Sequence, residues 1–138
     1  MSDLETVLAA NRAFYDAFET LELEKMEAVW LQAPHIVCIH PGWRRLCGWG
    51  PIMNSFDGIF DSAFEMKFEI RDPEVIVRGD LAIIVTREIL TQRNYNGSSK
   101  SQVMATNIFE RVGLKWFMVL HHGSPVASSM EDDEPPIQ

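Results

Sequence analysis

The chain has 138 residues, 46% of them apolar and 23% charged, with a formal charge of −8. That length suits one domain able to bury roughly two-thirds of its unfolded surface without a disulfide or metal, and a second domain has no room. Twelve Lys and Arg dispersed among twenty Asp and Glu form no basic stripe, so no nucleic-acid partner is expected, and with no apolar run of membrane length and no secretory pattern the expected address is cytoplasmic.

Leu4, Val7, Leu8, Phe14 and Phe18 recur at helical spacing after Ser2, with Asn11 and Tyr15 on the same stripe. Ser2 followed by Glu5 reads as a capping box. A second helix is predicted over 22–31 from Met26, Val29 and Trp30, stopped before Pro34. His35 to His40 encloses Ile-Val-Cys-Ile and halts at Pro41-Gly42, the pattern of a short buried strand. Pro51 suits a first helical turn, and Ile52, Phe56, Ile59 and Phe60 share a face, so a third helix is predicted over 48–60.

From Glu65 the period becomes two, with Met66, Phe68 and Ile70 alternating against charged residues and Val75 to Val77 continuing past Asp72-Pro73. Arg78-Gly79-Asp80 reverses the chain. Leu81 to Tyr95 is a long strand ending at Asn96-Gly97, a strong hairpin signal, and Lys100 to Arg111 and Leu114 to His122 complete the sheet around Gly113. Strands this long in so small a domain must bend, leaving a concave face for the helices. The expected fold is α+β: a curved, four-to-six-stranded antiparallel sheet with three helices forming a cone-shaped pocket, spanning residues 3–127. An acidic tail over 128–138 is expected to be disordered. Cys38 and Cys47 form no metal or redox motif and read as buried, reduced thiols.

This order of elements resembles the nuclear-transport-factor-2-like (cystatin-like) superfamily, and in particular its SnoaL-like branch. His40-Pro41-Gly42-Trp43, with Leu46 and Gly48-Trp49, precedes the third helix, and Trp116 is followed by His121-His122-Gly123-Ser124-Pro125. The latter ending is similar to that of the association domain of calmodulin-dependent protein kinase. The superfold hosts isomerases, dehydratases, carriers and oligomerisation domains, so function rests on side chains.

His40 resembles a replacement for the carboxylate base that precedes Pro in the ketosteroid-isomerase relatives, and imidazole accepts protons near neutral pH. Asn107 falls where those relatives keep an oxyanion-stabilising acid, and Tyr15 looks like the partner phenol. Each residue is also readable as a satisfied core polar group, the commoner role of a buried polar side chain. His121 and His122 point to opposite faces, and spacing does not say which enters the pocket. Arg87 and Glu88 pose the same question, and whichever points inward must be paired or functional. Trp30, Trp43, Trp49, Phe56, Phe60 and Phe109 are the aromatic stock expected to line the cavity, and Arg44-Arg45 adjoin it.

Adjacent histidines do not chelate one ion, so no metal is expected, and no cofactor. Two readings stand: a cofactor-independent isomerase, dehydratase or hydrolase acting on a small apolar cyclic or carbonyl compound, or a module that binds such a ligand or assembles without reaction. The resemblance implies a homodimer, and the apolar residues on both faces of Leu81 to Leu90 agree with a covered outer face.

Overall fold

The computed structural model describes residues 2–131. Helix α1 (Asp3–Thr20) starts at Ser2, whose hydroxyl oxygen accepts the Glu5 amide at 3.2 Å and whose hydroxyl donates to the Glu5 carboxylate at 3.1 Å. It ends at Leu21, held in the left-handed region at φ 58 while its amide donates to the Phe18 carbonyl. Helix α2 (Leu23–Glu27) is shorter than the predicted 22–31 segment. Beyond Ala28 the backbone of Val29 and Leu31 bonds to that of Met118, and Trp30 forms a parallel bridge there, so sheet pairing overrides local helix propensity.

Strands β1 (Val37–Ile39) and β2 (Leu46–Cys47) precede helix α3 (Trp49–Ser62), which begins one residue later and runs two residues further than predicted. Strands β3 (Ala63–Arg78), β4 (Leu81–Asn94), β5 (Gly97–Val112) and β6 (Lys115–Pro125) follow as an antiparallel meander. The sheet order is β2-β1-β6-β5-β4-β3. The sheet is mixed rather than wholly antiparallel, because β1 lies parallel to β6, with Cys38 opposite His121. Hairpin signals report only strands that are neighbours in sequence, and this pair is brought together from opposite ends of the chain.

Curvature arises where register slips. β3 is irregular at Ala63/Glu65 and again at Arg71/Glu74, where Asp72 has φ 53, and β5–β6 is irregular at Ile108/Phe109. Each extra residue increases local twist and bends its strand. The unclosed sheet therefore wraps around the helices. Glu19 on α1 accepts the Phe68 amide at 2.7 Å and so caps part of the outer edge of β3.

Within the wrap, rings from both layers interlock. Phe18 meets Phe14, Phe56, Phe60 and Phe68 at centroid distances of 5.8, 5.4, 5.7 and 4.7 Å, mostly edge to face. The middle of the cone is thus packed with phenylalanine. Cys38 is buried, as expected of a structural thiol, and burial pushes it up to about 12; Cys47 is exposed at the sheet margin, contrary to expectation, because β2 is an edge strand of only two residues. Ser128–Met130 form a single 3₁₀ turn, and the rest of the predicted tail from Asp132 onward lies outside the described residues. Among the described residues, no helix is long and apolar enough to cross a membrane.

Phe18→Ala should lower unfolding free energy by about 3–5 kcal/mol, because four facing rings cannot all collapse into the gap. Chemical denaturation of the variant checks this, and a loss below about 1 kcal/mol would show that the ring cluster is not the keystone of the core.

Candidate functional site

The β-turn His40-Pro41-Gly42-Trp43 leaves the end of β1. The Trp43 amide donates to the His40 carbonyl at 2.8 Å, with Gly42 at φ 82, a conformation few side chains tolerate. The turn folds Trp43 back so that its ring meets His40 edge-on at 4.8 Å. The turn also rests against the second sequence signature: a Cβ on Gly123 would stand 2.9 Å from Cγ of Pro41. Glycine at 123 is what lets the His40 turn lie on β6. The two signatures are therefore one structural unit, and it brings the His40 and His121 rings to 6.5 Å.

Deeper in, a string of polar groups crosses the concave face. His121 Nδ1 lies 2.6 Å from Asn107 Oδ1, and the Asn107 amide donates to Asn11 Oδ1 at 2.9 Å and to the Tyr15 hydroxyl at 3.0 Å. Because both amide protons of Asn107 are committed, its oxygen is the acceptor and Nδ1 of His121 carries the proton. Tyr15 in turn donates to Glu88 Oε2 at 2.6 Å. All five groups are buried. The stripe of α1 supplies Asn11 and Tyr15, the pleats of β4, β5 and β6 supply Glu88, Asn107 and His121, and alternation sends Arg87 and His122 outward.

Burial sets the electrostatics. Glu88 is 3% exposed and, among the described residues, forms no ion pair with a Lys or Arg. Desolvation raises its carboxyl to about 7, partly offset by the Tyr15 hydrogen bond. Tyr15 is held well above its ordinary value by burial and then by the Glu88 charge. Burial lowers His40 to about 4 and His121 to about 3, the latter helped by the nearby imidazoles of His40 and His122. Both histidines are neutral at physiological pH, while Glu88 divides between its two forms.

The predicted residues separate into groups. His40, Asn107, Tyr15 and His121 line one buried path. Trp30, Phe56, Phe60 and Phe109 belong to the core, and Phe56 meets His40 at 5.0 Å. Trp30 keeps an indole N–H without a partner among the described residues. Trp43 is half-exposed at the cone mouth, Trp49 is partly buried at the start of α3, and His122 is exposed on the convex face. Three participants are not among the site residues expected from sequence. Ser55 Oγ lies 2.9 Å from His40 Nε2, Cys38 Sγ lies 3.6 Å from the same nitrogen, and Asn11 anchors Asn107. A readable signal existed for one of them: Asn11 occupies a position of an otherwise apolar helical stripe. No cluster suited to holding a metal ion occurs among the described residues.

Comparison with known proteins gives this architecture its class. The profile of the SnoaL-like domain matches residues 7–128, and the chain belongs to that family. A putative dehydratase of the NTF2-like family from Streptomyces avermitilis is 32% identical, with a TM-score of 0.86 over 91% of this chain and 97% of the other. A putative calcium/calmodulin-dependent protein kinase type II association domain from Thiobacillus denitrificans is 33% identical, with a TM-score of 0.78 over 88% and 95% of the two chains. The F-box protein SKIP8 of Arabidopsis thaliana is 23% identical over 118 residues, 86% of this chain, and the chain spans about half of that relative's length.

Glu88→Gln should reveal the raised carboxyl. A carboxyl protonated in the fold but not in the open chain contributes stability that is present below the ordinary value of 4.5 and lost as pH rises through about 7. The variant should match wild type near pH 4, gain on it between those values, and stay ahead above pH 7 by up to roughly 3 kcal/mol. Denaturation midpoints across pH measure the gap; a gap independent of pH would contradict the assignment.

Proposed function

We propose that the chain is a homodimeric pocket protein that moves protons on a small, mostly apolar cyclic or carbonyl compound, an isomerase, dehydratase or hydrolase whose acid–base chemistry is carried by its own side chains. The observation that carries this reading is Glu88, a buried carboxyl without a cation, poised near neutrality at the end of a hydrogen-bonded string. A fold has no need of such a group, and burying one is costly, so its presence favours chemistry.

His40 is the proposed proton acceptor, neutral at working pH and placed beside the cone mouth. Asn107 and Tyr15 are the proposed oxyanion donors. As they stand, both are fully engaged: the Tyr15 proton goes to Glu88 and the Asn107 protons go to Asn11 and Tyr15. Protonation of Glu88 changes that for Tyr15, because a neutral carboxyl can donate to the Tyr15 oxygen and release the phenolic proton to a ligand oxygen, while Asn107 holds the phenol in place. Glu88 thereby gates the donor. The relative from Streptomyces described as a putative dehydratase supports the reaction class.

The same saturation of hydrogen bonds favours a second reading, in which the site holds its ligand without reaction. Assembly is proposed alongside either. Val85 and Met104 stand 38% and 42% exposed on the convex face, with Ile83 and Ile108 paired beside them, and the kinase-association-type relative supports oligomerisation through this kind of domain.

A turnover screen over enolisable ketones, hydroxy-ketones and lactones separates the readings. Wild type should convert at least one class, and His40→Ala should lose about 10²–10⁴ in rate. Turnover unaffected by His40→Ala, or none in the panel, would leave the binding reading. For assembly, Val85→Glu with Met104→Glu should elute with the light-scattering mass of one 15.8 kDa chain where wild type gives two. A monomeric wild type would refute the dimer.

A further inference from the structure

His40 is only 3% exposed, so a ligand needs a way to reach it. Phe56 covers it from within and Trp43 covers it from the side. Ser55 provides the remaining approach. Its hydroxyl donates to the Ile52 carbonyl at 2.6 Å, and its oxygen stands 2.9 Å from His40 Nε2. That donation makes the Ser55 oxygen the acceptor of the His40 N–H, and the hydroxyl can rotate its proton from the Ile52 carbonyl to a ligand oxygen without losing that bond.

The other side of Ser55 opens on a groove of about 600 Å³ running along α3, walled by Trp43, Leu46, Pro51 and Ile59. This is within the range of small-molecule sites and too small for a folded partner. None of the residues lining it is charged. The half-exposed Trp43 ring offers a flat apolar wall, and Ser55 backed by His40 supplies a hydrogen-bonding pair at the floor.

We propose that this groove on the outer side of α3 is a ligand site that reaches His40 from outside the cone, that it takes a flat, neutral carbonyl compound against Trp43, and that Ser55 is the residue which meets the carbonyl oxygen and links it to His40. The inference rests on the acid–base reading for its chemistry and on the groove alone for its binding. A neutral ligand follows from the uncharged lining, since an anion would lose its hydration without gaining a cation there. Of the three polar residues that line it, Asn54 and Ser62 are exposed and Ser55 alone is buried, so one ligand oxygen is recognised at the floor.

Fluorine NMR of 4′-fluoroacetophenone added to the full chain tests this. Its resonance should broaden and shift saturably. Gly58→Leu should abolish the effect, because Gly58 borders the groove, a Cβ there meets nothing within 4 Å, and the change favours the helix, so the variant folds. Ser55→Ala should weaken binding about fivefold to tenfold, the worth of one neutral hydrogen bond. Leu114→Ala, at the exposed β5–β6 turn away from the groove, should leave it unchanged. No saturable binding, binding indifferent to Gly58→Leu, or equal or tighter binding of 4-fluorobenzoate would each overturn the proposal. Intact binding with no turnover would sink the acid–base reading and leave the groove standing, so the two failures are distinguishable.

Discussion

The hydrogen bond from Tyr15 to Glu88 is the contact around which the interior is organised. It joins the first helix to the fourth strand across 73 residues of sequence and sits where the sheet curls over the helices. A carboxyl at that depth is tolerable only if it is neutral or strongly solvated by the protein, and Tyr15 is its one hydrogen-bond partner among the described residues. The remaining polar groups follow from it. Asn107 steadies the phenol, Asn11 and His121 satisfy Asn107, and the β6 pleat that turns His121 inward sets Gly123 beneath the His40 turn. Each member is satisfied by the next, which is the condition under which a buried polar network rigidifies a core instead of weakening it.

Around this string the fold is apolar. The rings of Phe14, Phe18, Phe56, Phe60 and Phe68 fill the cone, and a shallow groove lies outside it along α3. Sheet curvature makes room, and aromatic packing fills it. His40 stands at the boundary, in contact with Phe56 on one side and with Trp43 and Ser55 on the other. Position explains its depressed basicity as well as its candidacy: the burial that makes it a weak base keeps it neutral and able to accept.

Much of the fold was legible because periodicity and turn chemistry are local. The change from helical to alternating spacing at Glu65, and the Asn96-Gly97 reversal, placed the four long strands within a few residues. Two features escaped because they are not local. The end of the second helix is dictated by Met118, and the parallel pairing of β1 with β6 has no turn to announce it. At the site, Tyr15, Asn107 and His40 were visible as polar residues among apolar neighbours, and Glu88 only as one of an adjacent pair. Ser55 carries no such signal, because a serine within an apolar helical stripe reads as a spacer until its partner is known to be a buried imidazole 15 residues away.

The most direct test of the buried carboxyl is its own titration, followed through the side-chain carboxyl carbon resonance of Glu88 with Glu88→Gln to assign it. The account predicts a midpoint of about 7, and a higher one in Tyr15→Phe, since the lost hydrogen bond stabilises the charged form. A midpoint in the ordinary carboxylate range, unmoved by Tyr15→Phe, would contradict it.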